Sequence, residues 1–299
     1  MTDRMGDGSA ARISPRVWLA AAAAGTGLCW WWLWTQRGYW NPLVFAALWT
    51  CATVVLRTLS AQPPFPLRRQ LMLMAVSAPL WWWFEFVNEF VQNWRYHGTE
   101  RYSWVEYQVF ATIAFSTVVP ALDAAWTAAS RWLPANRERT PGSASLTRAS
   151  ALWVIAAGCA AQAAVFLWPK STYAFVWIAP FLLLDGVVSL RGGASLLQLM
   201  RQGAWRVPWA VALGGLACGF CWELWNYHAM PKWTYDVPLV SFWHLFEMPL
   251  LGYGGYIPFA WSVYQAVALT VGVTGLSGVH PPEATQQATS PAGDTLATA

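Results

Sequence analysis

Acidic, amide and aromatic residues recur in two groups within otherwise apolar sequence. One group has Glu223 and Asn226 on an apolar segment, Trp233 and Tyr235 in a short connection, and Glu247 at the start of the next apolar run. A carboxyl group among apolar residues favours its neutral form and can then donate a proton. Nearby indole and phenol faces can stabilise a carbocation. This combination predicts acid–base chemistry on an apolar molecule.

The other group lies upstream and repeats the same order. Glu85 and Asn88 share one helical face, Trp94 and Tyr96 follow in a connection, and Glu106 precedes the next apolar run. The candidate catalytic residues are therefore Glu85, Glu106, Glu223 and Glu247. The candidate substrate-binding residues are Asn88, Trp94, Tyr96, Asn226, Trp233, Tyr235 and His244.

Two other interpretations fit these residue types. The Glu and Asn side chains could be structural, forming hydrogen bonds between helices in the membrane. Alternatively, Glu223, His228, His244 and Glu247 could converge on a metal ion, since His244 and Glu247 have helical spacing. The chain has only 4 histidines, fewer than a membrane di-iron oxidase needs. The favoured interpretation therefore requires neither a metal nor a cofactor.

The composition places these groups in a membrane. The chain of 299 residues is 57% hydrophobic and 11% charged, whereas a soluble domain has about 25% charged residues. Its apolar blocks have the length of roughly 20 residues that a helix needs to cross the hydrocarbon core. We expect an all-α polytopic membrane protein of eight spans, at residues 17–34, 41–59, 71–91, 104–129, 149–168, 173–190, 207–227 and 250–274.

The repeated motifs indicate an internal duplication. The sequence Leu33-Trp34 with Tyr39 matches Leu167-Trp168 with Tyr173, and the carboxylate groups follow at similar offsets. We expect two tandem four-helix repeats, 16–130 and 150–277, joined by a cytoplasmic linker, 131–149, and flanked by disordered tails, 1–15 and 278–299. An even number of spans per repeat gives both copies the same orientation.

The distribution of basic residues predicts the topology. Most arginines lie in the amino-terminal tail and in alternate connections, and cytoplasmic loops retain basic residues. We therefore expect the protein to lie in the inner (plasma) membrane, with both termini in the cytoplasm. The small net positive charge of +4 follows from these loops and does not indicate nucleic acid. The sequence leaves the oligomeric state open.

The two groups resemble the membrane-bound lycopene cyclase domain, which also occurs as tandem copies. The resemblance is carried by Glu223, Trp233-x-Tyr235 and Glu247, and by the matching first group. It implies redox-neutral cyclisation of a carotenoid end group, with Glu106 and Glu247 at the family's essential acidic positions. The chain departs from the family in having Pro249 after Glu247 and in having four helices per unit where the family has three.

Two functional hypotheses follow. The first is an integral membrane enzyme, such as an isomerase, that cyclises, isomerises or hydrates an isoprenoid or other membrane lipid. The second is a proton-coupled transporter or lipid-binding protein with a central carboxylate site, in which Glu85 and Glu223 carry a proton or cation.

Overall fold

The computed structural model describes residues 14–134 and 146–274. Most of these residues are helical, and the described strands form two short two-stranded ladders. The expected tails, apart from residues 14 and 15, and most of the expected linker lie outside the described residues. The first half comprises α1 (Pro15–Thr35), α2 (Asn41–Leu59), α3 (Leu67–Val91), β1 (Trp94–His97), α4 (Trp104–Phe115) and α5 (Val118–Ser130).

The second half follows a similar order. It comprises α6 (Arg148–Leu167), α7 (Pro169–Thr172), α8 (Phe175–Leu190), α9 (Leu196–Arg201), α10 (Arg206–Asn226), β2 (Lys232–Tyr235), β3 (His244–Leu245), β4 (Met248–Pro249), a 3-10 helix (Leu250–Gly255) and α11 (Tyr256–Thr274).

Helices occupy all eight predicted segments. Within residues 14–134 and 146–274, four helical runs are long and apolar enough to cross a membrane, and Phe175–Leu190 is apolar but shorter. The four are Asn41–Leu59, Trp104–Ser130, Arg148–Leu167 and Arg206–Asn226. The length and apolar character of these helices are compatible with a membrane-embedded protein.

Two predicted helical segments are interrupted. The run Trp104–Ser130 breaks between α4 and α5, where the hydroxyls of Ser116 and Thr117 donate to backbone carbonyls of the preceding turn. Pro120 adds to the break because it has no N–H to bond the carbonyl four residues earlier. In the last segment, the glycine-rich residues 250–255 form a 3-10 helix, so the α-helix begins only at Tyr256.

Close helix contacts around α10 build the centre of the bundle. A Cβ atom on Gly214 would lie 2.6 Å from the backbone N of Trp126 on α5. One on Gly215 would lie 2.7 Å from the backbone O of Tyr256 on α11. Such contacts require glycine, because any side chain would push the neighbouring helix away. Helix α10 is therefore held directly against both α5 and α11.

A buried charge cluster lies at the far end of α2 from the β1–β2 ladder. Asp123 forms ion pairs with Arg57 at 2.6 Å and with Arg69 at 2.5 Å. Asp185, also buried, accepts the backbone N–H of Leu196 at 2.7 Å and therefore caps α9. The partners of Asp123 lie on other helices, and sequence proximity does not predict such contacts.

Candidate functional site

The two Trp-x-Tyr motifs pair with each other. Strands β1 and β2 are antiparallel, with Trp94 opposite Tyr235 and Tyr96 opposite Trp233. The Trp of each motif therefore faces the Tyr of the other. This register brings together residues that are far apart in the sequence. Glu85 from the first half and Glu223 from the second both bond to tyrosines of this one ladder.

The two asparagines hold this ladder to the helices. The side chain of Asn88 donates to the backbone O of Trp94 at 2.8 Å and accepts the Trp94 N–H at 3.2 Å. Asn226 makes the same pair of bonds to Trp233, at 2.7 and 2.9 Å. Both amides are buried and engaged with backbone atoms. Their geometry is that of positioning residues for β1 and β2.

Glu85 accepts hydrogen bonds from three ring groups. Its Oε1 atom accepts Trp81 Nε1–H at 2.8 Å and the Tyr96 hydroxyl at 2.6 Å. The Trp94 indole N–H lies 3.3 Å from both oxygens of Glu85. Helix α3 supplies the carboxylate and one donor, and β1 supplies the other two. Both oxygens of Glu85 are therefore engaged.

Glu223 is bound differently. Its Oε1 atom accepts the hydroxyls of Tyr235 at 2.7 Å and Tyr256 at 2.6 Å. The Tyr235 oxygen also accepts Trp233 Nε1–H at 2.8 Å. The Oε2 atom has no hydrogen-bond partner among the described residues, although the side chain is fully buried. One oxygen of this carboxyl group is thus available for a further hydrogen bond.

Helix packing explains how Tyr256 reaches Glu223. Gly219 lies one turn before Glu223, and a Cβ atom there would come within 2.3 Å of the Tyr256 ring. Since this position lacks a side chain, the ring can lie against α10 with its hydroxyl at Glu223. The sequence analysis did not identify Tyr256 as a site residue. The signal that could have indicated it is Gly219, one turn before Glu223.

The strand tyrosines remain neutral donors. Burial and the neighbouring Glu85 raise the pKa of Tyr96 well above its usual value of 10.0. Burial and Glu223 do the same to the pKa of Tyr235. Each phenol therefore keeps its proton near neutral pH and can donate to its carboxyl partner. A protonated phenol can also pass a proton along a hydrogen-bond chain.

Two adjoining cavities lie beside these groups. The first, of about 150 Å³, is lined mainly by aromatic and aliphatic residues from both halves, and the second has a volume of about 260 Å³. The walls common to both cavities are Trp81, Trp94, Trp177, Tyr235, Met248 and Tyr256. Four of these six residues are hydrogen-bonded to Glu85 or Glu223, so the carboxyl groups lie directly behind the cavity walls.

The run Trp81–Trp83 divides between interior and surface. Trp81 lines both cavities. Trp82 donates to Thr112 at 3.0 Å, and Trp83 is exposed. Three consecutive helical residues point in different directions, so only one can face the site.

Glu106 has a helix-capping geometry. Its carboxylate accepts the backbone N–H of Ser103 at 2.8 Å while the Ser103 hydroxyl accepts the Glu106 N–H, forming a capping box for α4. It also accepts the hydroxyl of Tyr39, and this bond raises the pKa of Tyr39 to about 12. Glu106 is not among the described residues that line either cavity.

Glu247 and His244 also have surroundings that differ from those of Glu223. Glu247 pairs with Lys232, which lines the first cavity. His244 is exposed in β3, opposite Pro249. Within the described chain, neither Glu247 nor His244 is among the residues that line the two cavities.

The alternative metal site is not assembled. Glu223 is enclosed by tyrosines, and the His228 ring packs against Trp34 with 4.8 Å between centroids. In residues 14–134 and 146–274, no group of three or more His, Cys, Asp or Glu side chains could hold a metal ion. The sequence spacing suggested convergence, but β3 directs His244 to the surface.

Comparison with known proteins gives no assignment. No family model matches the chain, and no curated protein or solved structure matches it.

Proposed function

We propose that this protein is a membrane enzyme that performs redox-neutral acid–base chemistry, such as cyclisation or isomerisation, on one end of an isoprenoid or similar lipid. The observation that carries the proposal is that the carboxyl groups of Glu85 and Glu223 are both hydrogen-bonded to tyrosines that line the first, largely apolar cavity. Each acid is therefore connected to the aromatic cavity walls through a hydrogen bond. Such walls also favour a cationic intermediate.

The proposed step conserves atoms and electrons. The hydroxyl of Tyr235 or Tyr256 turns its O–H from Glu223 toward the cavity, gives that proton to one carbon of a carbon–carbon double bond, and takes the proton of protonated Glu223, which becomes a carboxylate. The other carbon becomes a cation, which a second double bond of the same chain can attack to close a ring. Loss of a proton from a neighbouring carbon to a carboxylate then restores the double bond. Neither an oxidant nor a reductant is required.

The cavity size agrees with binding of a chain end. An engineered protein cavity of about 150 Å³ binds benzene, and the first cavity has a volume of about 150 Å³. A six-membered ring or a folded isoprene end group would fill it. The remainder of a long lipid would lie outside the cavity. A carotenoid end group, the substrate that the resemblance to lycopene cyclases implies, is one such chain end.

We test the proposal with Glu223→Gln and Glu85→Gln, using Glu89→Gln as the matched control. Glu89 is exposed on the same helix as Glu85. The protein is expressed in bacteria that accumulate lycopene and, in parallel, in cells with other polyprenyl lipids, and the lipids are separated by mass. A general acid contributes roughly 100-fold or more to a rate, so Glu223→Gln should lose the product while Glu89→Gln retains it. Equal product from all variants would contradict the proposal.

A second candidate is a proton-coupled transporter or lipid-binding protein, and one observation favours it. The break between α4 and α5 lies at the first cavity, where Phe115 and Val118 both form part of the wall. Transporters commonly bind their substrates at interrupted helices. In proteoliposomes, a carrier would take up lipid or solute with a pH dependence that Glu223→Gln removes, and no new product would form.

We also propose that the chain consists of two tandem units of four spans with the same orientation and with both termini in the cytoplasm. The matched pairing of β1 and β2 and the equivalent bonds of Asn88 and Asn226 support the duplication. The arginine distribution supports the orientation. A reporter fused after residue 299 should be active only in its cytoplasmic form; activity on the outside would contradict the topology.

A further inference from the structure

We infer that the second cavity binds a second lipid chain, so that the protein holds two apolar chains at once, one in each cavity. This inference rests on the proposed function, because it takes the first cavity as the site of one chain. The observation that carries it is that the two cavities are lined by corresponding residues of the two halves of the sequence. A site for one chain therefore has a counterpart of similar construction beside it.

The helical walls of the two cavities correspond position by position. Every residue of α4 and α5 that lines the first cavity has a counterpart that lines the second, in the segment from β4 to α11. Each counterpart follows in the sequence by the same number of residues as Glu247 follows Glu106. Examples are Phe110 with Leu251, Ala111 with Gly252, and Val118 with Phe259.

The strand residues of the two cavities correspond crosswise. The first cavity, whose helical wall comes from the first half, is lined by Lys232 and Trp233 at the start of β2. The second cavity, whose helical wall comes from the second half, is lined by Asn93 and Trp94 at the start of β1. Each cavity thus combines the helices of one half with the strand of the other, as a twofold relation between the halves requires.

Ring packing repeats the same crosswise relation. Phe45 of α2 packs on Trp233 of β2 with 5.8 Å between ring centroids, and Trp177 of α8 packs on Trp94 of β1 with 5.7 Å. Phe45 lines the first cavity and Trp177 the second. A gap left by imperfect packing between helices would not repeat the positions and ring contacts of another cavity. The second cavity is therefore interpreted as a built site.

The lining of the second cavity fits an uncharged chain. The described residues that line it include no Lys, Arg, Asp or Glu. A charged group buried there would lack a counter-charge, which is costly in an apolar environment. Its volume of about 260 Å³ exceeds the 150 Å³ of the first cavity, which already has the size of a protein cavity that binds benzene. An alkyl or prenyl chain is the ligand that matches this lining and volume.

The two chains would share one acid. Tyr235 and Tyr256 line both cavities, and both hydroxyls donate to Glu223. A chain in either cavity would therefore contact a residue that is hydrogen-bonded to the same carboxyl group. The second chain would lie close enough to the proposed chemistry to serve as a second reacting segment.

The number of bound chains tests the inference. The purified full-length protein in detergent micelles is titrated with farnesol, a single prenyl chain, and native mass spectrometry counts the molecules that stay bound. We expect two molecules of farnesol per protein at saturation. A single bound molecule would overturn the inference and leave the proposed lipid site intact, whereas no binding would overturn both.

Filling each cavity separately locates the two chains. Ala111 lines only the first cavity and Ile178 only the second. Ala111→Trp and Ile178→Trp should each lose one farnesol and keep the other, and the molecule that is kept shows that the variant is folded. Leu152→Trp, at an exposed position of α6 outside both linings, is the matched control and should bind two. Two molecules that persist in Ile178→Trp would overturn the inference.

A competing lipid with two tails distinguishes the sources of the second chain. Dioleoylglycerol is uncharged and is added to the protein that is saturated with farnesol. If one molecule of it displaces both molecules of farnesol, the two chains are the tails of one lipid. If one molecule displaces only one farnesol, the chains belong to separate molecules. Both results require two chain sites, and displacement of neither farnesol would contradict them.

Discussion

The Glu85 and Glu223 sites have similar components but different hydrogen bonding. Each carboxyl group accepts the hydroxyl of a strand tyrosine, Tyr96 or Tyr235. Glu85 also accepts indole N–H groups on both oxygens, whereas Glu223 accepts a second hydroxyl, from Tyr256, on the same oxygen. The first site therefore saturates its carboxylate, and the second leaves one oxygen without a described partner.

The difference depends on the residue four positions before each glutamate. In the first site this residue is Trp81, whose own indole donates to Glu85. In the second it is Gly219, which makes space for Tyr256 from another helix. Glu85 thus receives a hydrogen bond from its own helix, α3, whereas Glu223 receives the corresponding bond from Tyr256 on α11.

A second pair of positions differs in the complementary way. Nine residues after Glu106 lies Phe115, whose ring packs on Trp81 at 5.7 Å between centroids. Nine residues after Glu247 lies Tyr256, whose hydroxyl donates to Glu223. In the first site, Trp81 on the helix donates to the carboxylate, and the facing residue, Phe115, has no hydroxyl. In the second site, the helix has Gly219 instead, and the facing residue, Tyr256, supplies the hydroxyl. This difference is the reason for our proposal that Glu223 transfers the proton, and it suggests a structural role for Glu85.

The largest expected difference between the sites is in stability. Glu85→Leu leaves three partly or fully buried donors without their carboxylate partner, and Glu223→Leu leaves two. At about 1 kcal/mol for each lost partner, Glu85→Leu should lower the free energy of unfolding by about 3 kcal/mol and Glu223→Leu by about 2 kcal/mol. Unfolding of purified protein in mixed micelles with increasing SDS measures both. Glu89→Leu, at an exposed position, is the control, and a reversed order of the two variants would refute the comparison.

The second prediction concerns Gly219→Ala. The new methyl group would overlap the Tyr256 ring, and overpacking of this kind costs about 1–3 kcal/mol. The Tyr256 hydroxyl should move away from Glu223, so the second site loses a donor while the first is unaffected. Gly27→Ala is the matched control, since a Cβ atom at Gly27 meets nothing within 4 Å. If Gly219→Ala is as stable as Gly27→Ala, the close contact does not exist in the protein.

The third prediction distinguishes the two oxygens of each carboxyl group. Glu85→Gln places an NH₂ group where the carboxylate accepts the Trp94 indole, so it should cost about 1 kcal/mol. Glu223→Gln can keep both tyrosines on its oxygen and put the NH₂ group at the unpartnered position. Its unfolding free energy should therefore change less than that of Glu85→Gln. Equal losses in the same SDS titration would mean that Glu223 Oε2 has a partner after all.

The sequence predicted the helices better than their ends. Apolar blocks of membrane-spanning length leave few alternatives to a helix, because the backbone must satisfy its own hydrogen bonds in lipid. The break at Ser116 and Thr117 and the 3-10 segment before Tyr256 depend on local hydroxyl bonds and glycines that fit several backbone conformations. Such alternatives are decided by neighbouring helices, which the sequence does not specify.

The site was predictable to the extent that its spacing is local. Glu85 with Tyr96 and Glu223 with Tyr235 were identified as candidates, and each pair is hydrogen-bonded. Their catalytic and binding roles stay predictions. Tyr256 comes from a separate helix, and its contact with Glu223 depends on how α11 crosses α10. The pattern of residues within a single helix does not predict how that helix crosses another.

The smallest effect is expected at the third glutamate of the second half. Glu247 pairs with Lys232, and both side chains are about one-fifth exposed, at 23% and 20%. A partly exposed ion pair contributes about 0–1 kcal/mol and weakens with salt. Lys232→Gln should thus lower the unfolding free energy by less than either Glu85 variant, with a difference that shrinks as salt is added. Lys170→Gln, at an exposed position, controls for the loss of charge. A large loss that does not depend on salt would instead indicate that Lys232, which lines the first cavity, and Glu247 form part of the buried site.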